Sequence, residues 1–316
     1  MQINYKETED FLKNCDNVYI LTHQSPDGDC IGTGFALHDI LRSMGKRSAV
    51  LCSDPFPDKF DYITNIENNS AFEPDTVIAV DVADTRLLGR YEEIYGGRID
   101  LCIDHHISNT EYAARTLLGA DSAAACEVLY RLACAMGTEL SDYAAVCMYT
   151  GIATDTGCFK FENTSAETHE IAAQLMRRHK INHAWINREM FDIKTKGMLK
   201  IESSVIDAME YYLDNRLTMV CITKAMLDRL GVEFNELDGC ASLPLKVKGV
   251  EVGITVKEKS AGEYKVSMRS TGDVNVSAIC QTIGGGGHAK AAGCALEGSL
   301  EDVKKILVEA VRKAMP

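Results

Sequence analysis

Leu21-Thr-His-Gln-Ser-Pro-Asp-Gly-Asp-Cys-Ile-Gly-Thr-Gly34 places one imidazole and two carboxylates, His23, Asp27 and Asp29, within seven residues. The apolar run Val18-Tyr-Ile-Leu21 just before them reads as a buried strand, and Pro26-Asp-Gly28 is turn chemistry. From Ile31 to Met44 apolar residues recur at helical spacing. The stretch is therefore the exit of a core strand that turns into a helix, with its polar side chains on the connecting loop. A polar turn with two helix-capping aspartates uses the same residue types. Imidazole nitrogen with carboxylate oxygen also suits manganese, cobalt or zinc, and no cysteine of the loop is spaced to favour a thiolate site.

Three other places tip the balance toward metal, because each sets an Asp or His at the end of an apolar run. Val77-Ile-Ala-Val80 runs into Asp81, Asp100-Leu-Cys-Ile103 runs into Asp104-His105-His106, and the helical stretch Tyr143 to Thr154 delivers Asp155. In a parallel sheet covered by helices, residues just beyond the carboxyl ends of the strands converge on one crevice. Four such segments supply enough ligands for two cations, and Asp81, between the others, is the candidate bridge.

Around these segments the chain alternates strands and helices. Helices are expected at Tyr5 to Asn14, Phe60 to Ile66 and Tyr91 to Tyr95, with a strand at Ser48 to Cys52. The pattern predicts an α/β fold, an N-terminal doubly wound parallel-sheet lobe with right-handed crossovers. From Ser122 the lobe turns helical, at Ala123 to Ala135, Tyr143 to Thr154 and Ser165 to Lys180. A helical connector over 184–212 marks the domain boundary. Strands at Arg216 to Thr223, Val250 to Lys257 and Glu263 to Arg269, with helices at Lys224 to Leu230, Val276 to Ile283 and Leu300 to Met315, make a smaller C-terminal α+β lobe.

At 316 residues and 46% hydrophobic, the chain can build two cores. No apolar run is long enough to cross a bilayer and the first residues are polar and charged, so a cytoplasmic protein with no membrane partner is expected. Its twelve cysteines are scattered singly without a Cys-x-x-Cys pair, as buried thiols in a reducing compartment would be; Cys30 and Cys158 fall near the proposed site. A net charge of −13 excludes tracking along a long nucleic acid and favours a small phosphorylated substrate. Only Cys240 to Cys294 is locally basic, with seven Lys/Arg against four Asp/Glu.

The Asp104-His105-His106 triplet, the His23-x-x-x-Asp27-x-Asp29 loop, Asp81 and Asp155 stand in the order of the metal motifs of DHH/DHHA1 phosphoesterases, and Gly284-Gly-Gly-Gly-His288-Ala-Lys-Ala-Ala-Gly293 matches the second part of that name. The chain resembles this family over nearly its whole length, most closely its nanoRNase and pAp phosphatase branch. The resemblance implies a DHH catalytic domain over 1–184, a helical linker over 185–212 and a DHHA1 substrate-binding domain over 213–316. It places His23 and Asp27 with Asp81 on one ion, and Asp29, His105 and Asp155 with Asp81 on the second. The ions are expected to be Mn²⁺, with Co²⁺ or Mg²⁺ also accommodated by these donors. A pair about 3.5–4 Å apart holds a hydroxide for in-line attack on phosphorus.

By the same resemblance His106 faces the scissile phosphate or leaving group. Asp104 either orients one of the imidazoles or is structural. Arg269 and Ser270, at the end of a strand, resemble the family's phosphate-binding element. Gly285, Gly286, Gly287 and His288 would approach a terminal phosphate through backbone amides. The implied substrates are short single-stranded RNA, the dinucleotide pApA and pAp, and a homodimer is left open.

The rivals are an inorganic pyrophosphatase-like enzyme, disfavoured by the glycine run, and a nucleotide-binding sensor, disfavoured by the complete ligand set. Arg86, beside Asp84, either reaches a substrate phosphate or, the favoured reading, forms a surface ion pair. His38, His169, His179 and His183 are expected at the surface or as caps. Gly28, Gly32 and Gly34 do not have the spacing of a dinucleotide fingerprint. Where relatives often carry Ser or Thr at the helix start after the triplet, this chain has Ala123-Ala-Ala-Cys126, which puts hydroxyl contacts there in question.

Overall fold

The computed structural model describes residues 1–315, apart from the side chains of Asn235, Glu236, Asp238 and His288. Contacts divide the chain into two compact units, Met1–Ile193 and the remainder from Lys194 onward.

The first unit opens with α1 (Tyr5–Asn14), started by a capping box in which Asn4 and Glu7 exchange side-chain and backbone hydrogen bonds. Then follow β1 (Val18–Leu21), α2 (Gly28–Ser43), β2 (Ser48–Leu51), the single turn α3 (Asp61–Thr64), β3 (Thr76–Val80), α4 (Tyr91–Tyr95), β4 (Leu101–Asp104) and β5 (Arg115–Leu118). Helices α5 (Ala125–Ala135), α6 (Asp142–Asp155), α7 (Ala166–Arg178) and α8 (His183–Asn187) complete it. All five strands are parallel, in the order β2-β1-β3-β4-β5.

Alternate strand residues serve two faces. Val18, Ile20, Val50, Ile78, Val80 and Ile103 pack under α2, α5 and α6, whereas Tyr19, Leu21, Val77, Ala79 and Cys102 pack with Leu88, Tyr91 and Tyr95 on the other side. The strands are apolar on both faces because both faces are covered. The order reverses between β1 and β3, one leading outward to β2 and the other to β4. That is the switch point at which an open parallel sheet forms its binding crevice.

Two differences from the expected elements matter to the site. Helix α2 begins at Gly28 rather than Ile31, because the Asp27 carboxylate caps it, accepting the N–H groups of Asp29 and Cys30 at 3.1 Å. Asp29 thus belongs to the first turn of a helix instead of a loop. Strand β5, which lacks a marked apolar run, was not expected; it extends the sheet beyond β4.

The second unit begins with α9 (Lys196–Asp207) and β6 (Glu210–Tyr212), both within the stretch expected as a linker. It continues through β7 (Leu217–Ile222), α10 (Lys224–Leu230), β8 (Val252–Ser260), β9 (Glu263–Ser270), α11 (Val276–Gln281), β10 (Gly286–His288), β11 (Ala291–Glu297) and α12 (Leu300–Ala314). The six strands run β10-β11-β9-β8-β7-β6, with β7 and β8 parallel and the other pairs antiparallel. One face packs on α11 and α12. The other packs on α9, α10 and the helical turns of Phe234–Lys246. Among the described residues no helix is long and apolar enough to cross a membrane.

Candidate metal centre

The ends of β1, β3 and β4 and the start of α2 bring His23, Asp29, Asp81 and His105 together, and the C-terminus of α6 adds Asp155. Asp81 follows β3 with φ of +57°, a left-handed conformation that costs a non-glycine residue energy and is found where a side chain must be aimed. Its own N–H donates to the Ile103 carbonyl at 2.9 Å, continuing the sheet hydrogen bonding beyond β3. The carboxylate is 3% exposed, and its two oxygens face different partners. Oδ2 lies 3.7 Å from Nε2 of His23, while Oδ1 lies 3.6 Å from Nε2 of His105 and 3.4 Å from Nδ1 of His106.

Two donor groups share this residue. With Asp81 gather His23, Asp27 and the buried thiol of Cys30, one of the two cysteines expected near the site. On the other side His105 Nε2 sits 3.5 Å from Asp155 and 3.9 Å from Asp29. Separations of this size are too long for hydrogen bonds and match donor atoms that share one cation. All six residues expected to hold metal are brought together.

The electrostatics agree. Among the described residues no Lys or Arg lies within ion-pair distance of Asp27, Asp29, Asp81 or Asp155. Burial, reinforced by the charges of Asp29, Asp27 and Asp155, pushes Asp81 well above the usual carboxylate range. Burial and the charges of Asp29 and Asp27 likewise raise Asp155 to about 8. Oδ1 of Asp81 is buried and has no hydrogen-bond partner. A cluster of buried acids with an orphaned oxygen at its centre is what a divalent cation would complete; the donor set fits such ions.

The supports are mostly main chain. His23 Nδ1 donates to the Gln24 carbonyl at 2.8 Å and His105 Nδ1 to the Ser122 carbonyl at 3.1 Å, so each presents Nε2 to the cluster. Asp29 accepts the N–H groups of Ala125 (2.6 Å) and Cys126 (3.0 Å), capping α5 from a distance. The Ala123-Ala-Ala-Cys126 segment therefore serves the site with backbone groups and needs no hydroxyls. Its side chains are buried, which favours small residues.

Asp104 serves His106 rather than His105. It accepts His106 Nδ1 at 2.8 Å, the N–H groups of both histidines, and Asn109 Nδ2 at 2.6 Å. Burial alone would raise its carboxyl, but these hydrogen bonds hold it below the usual range. Arg86 pairs with Asp84 through Nε and Nη2 at 2.8 and 2.9 Å, as expected. His38 is not a surface residue: it is 1% exposed, with Nδ1 2.9 Å from the Ser48 hydroxyl.

In the second unit Arg269 and Ser270 end β9, and β10 pairs with β11 so that Arg269, Ala291 and His288 share one row across three strands. Arg269 is half-buried, burial lowers its pKa, and among the described residues no carboxylate lies within ion-pair distance. The Ser270 hydroxyl donates to the Val274 carbonyl at 2.7 Å, holding the following turn. Lys290 bonds the Gly272 carbonyl. The glycine run is not an open loop. A Cβ on Gly287 (φ +139°) would stand 2.6 Å from the Ala291 oxygen, and one on Gly285 would strike Gly293 and Cys294. Around Gly286 there is room. The His288 side chain lies outside the described residues.

Residues 17–152 match the DHH family, N-terminal domain, and residues 218–315 the DHHA1 domain. The chain is 29% identical over 305 residues to the bifunctional oligoribonuclease and PAP phosphatase NrnA of Thermus thermophilus, covering 94% of this chain and 90% of that protein. It is 24% identical over 299 residues to the Bacillus subtilis protein of the same name, covering 93% of each. Among solved structures, an exopolyphosphatase-related protein from Bacteroides fragilis superimposes with a TM-score of 0.91 at 24% identity, over 98% of this chain and 95% of that one. RecJ from Thermus thermophilus in complex with Mn²⁺ gives 0.58 at 14% identity, over 99% of this chain and 55% of that one. These two likenesses are of fold.

Proposed function

We propose that this chain, a member of the DHH family carrying a DHHA1 domain, is a divalent-metal-dependent phosphoesterase that hydrolyses short RNA and pApA to mononucleotides and removes the 3′-phosphate of pAp. The observation that carries the reading is the divided carboxylate of Asp81, one oxygen toward His23 and the other, orphaned, toward His105. In this assignment His23, Asp27 and Asp81 hold one cation, and Asp29, Asp81, His105 and Asp155 the second. The names of the curated relatives support the substrate class.

When bound, two such cations supply an activated water and stabilise charge on the displaced oxygen. The residues of the chain do the rest. His23 and His105 are fixed by main-chain carbonyls with Nε2 inward. Asp104 fixes His106, which we assign to the scissile phosphate or the leaving group. In the DHHA1 unit, Arg269 offers a two-pronged guanidinium to a terminal phosphate, joined by the backbone of Gly285, Gly286, Gly287 and His288. The Ser270 hydroxyl, sequence-matched to the phosphate element, donates its hydrogen to the Val274 carbonyl and so holds the turn that presents Arg269. Mn²⁺ is the proposed ion, with Co²⁺ and Mg²⁺ suited to the same donors.

The test is turnover of pAp, pApA and a five-nucleotide RNA with Mn²⁺, Co²⁺ or Mg²⁺. The reading expects mononucleotide release that stops with a chelator and falls at least about a thousandfold in Asp81→Asn. A chain that binds pAp but releases no product with any of the three ions would be a nucleotide sensor instead.

A further inference from the structure

Glu127 is fully buried on the first turn of α5, and nothing in the metal assignment uses it. Its Oε2 accepts the N–H of Ala123 at 3.1 Å, and its Oε1 is buried without a hydrogen-bond partner. Arg131, one turn on, places Nη2 3.9 Å from Oε2 and donates through Nη1 to the Ser122 hydroxyl at 2.8 Å. A buried carboxylate kept on a helix merely to cap one amide is costly, which raises the question of what that amide does.

The Ala123 N–H and the Ser122 C=O belong to one planar peptide group and point in opposite directions. The carbonyl end of this group accepts His105 Nδ1 at 3.1 Å. A carbonyl can only accept, so Nδ1 carries the proton and Nε2 is left as the ligand atom facing Asp29, Asp81 and Asp155. Drawing on the amide end with a carboxylate increases negative charge on the carbonyl end and strengthens the bond it accepts. Asn163 holds the next carbonyl, that of Ala123, at 3.1 Å and the carbonyl of Asp155 at the same distance, so the segment is tied to both sides of the centre.

We propose that Glu127 is a positioning residue for the metal centre: through the single peptide Ser122–Ala123 it fixes His105 in the tautomer and orientation that present Nε2 to the cation. The proposal rests on the reading of His105 as a ligand. Glu127 touches neither substrate nor cation.

The test compares wild type, Glu127→Gln and Glu127→Leu in the full chain. The readouts are ¹⁵N NMR of the metal-free histidines and Mn²⁺ titration. Gln keeps an oxygen acceptor in the same place; Leu keeps bulk but no acceptor. The expected result is a clear Nδ1–H tautomer for His105 in wild type, largely retained in Glu127→Gln and mixed in Glu127→Leu. Mn²⁺ affinity should fall about 10–100-fold in Glu127→Leu and much less in Glu127→Gln. Should Glu127→Leu not fold, the Glu127→Gln spectrum decides: the Ala123 amide proton and the His105 Nδ1 proton must both move upfield together, and movement of the first alone overturns the proposal. An unchanged His105 tautomer with unchanged Mn²⁺ affinity in Glu127→Leu also overturns it. Wild type that binds no Mn²⁺ would contradict the metal centre itself, while the tautomer readout would still judge the peptide coupling.

Discussion

At the scale of single residues, the centre is a set of acids that the fold holds together against their mutual repulsion. Unfolded, such carboxyls ionise near 3.8; in the folded, metal-free chain Asp155 holds its proton to about 8, and Asp81 and Asp29 are raised as well. Between those limits the folded state binds more protons than the unfolded one, so stability falls with rising pH. Metal-free protein is therefore expected to melt at progressively lower temperature from about pH 5 to about pH 9. Saturating Mn²⁺ should restore the loss by an amount that grows with pH. Differential scanning calorimetry checks this, and a metal-free melting temperature that rises over that interval would contradict it. The identities of these residues were legible from sequence because each stands just past an apolar run. The left-handed turn that aims Asp81 and the backbone service of Ala123 to Cys126 were not. They depend on a positive φ and on contacts about a hundred residues apart. The one trace in the sequence is Ala124, an N-cap with no side chain able to cap, which says that the cap comes from elsewhere.

At the scale of elements, α2 must lie almost in contact with the backbone of α6 if Asp29 and Asp155 are to meet. Gly32 makes this possible: a Cβ there would stand 2.5 Å from the Cys147 carbonyl oxygen, and one on Gly151 would stand 2.8 Å from Asp29 Oδ1. Glycines that do not fit a dinucleotide pattern thus have a packing role. Gly32→Ala should destabilise the protein by about 1–3 kcal/mol and weaken Mn²⁺ binding, read by urea unfolding and by titration. Stability within about 0.5 kcal/mol of wild type would show that the helices can separate without cost. Long periodic helices and fully buried strands could be read from sequence. The missed elements, β5, β6, β10 and β11, are short or rich in glycine and alanine, and pairing with neighbours decides them more than their own pattern does.

At the scale of the whole molecule, the five-stranded sheet in the order β2-β1-β3-β4-β5 fixes where a crevice can form, and the acids stand at it. The second unit, described by itself, carries Arg269, half-buried and with no carboxylate partner among the described residues, in a chain of net charge −13. Arg269→Ala should raise KM for pAp about 10–100-fold, the range of one or two charge-assisted hydrogen bonds, and leave Mn²⁺ affinity unchanged. An unaltered KM would remove Arg269 from the substrate site. The central claim, that Asp81 joins two cations, is tested most directly by Mn²⁺ titration of the full chain followed by electron paramagnetic resonance. The account predicts two ions per chain with a spin-coupled spectrum that disappears in Asp81→Asn. A single, uncoupled ion in wild type, or a coupled pair that survives Asp81→Asn, would contradict it.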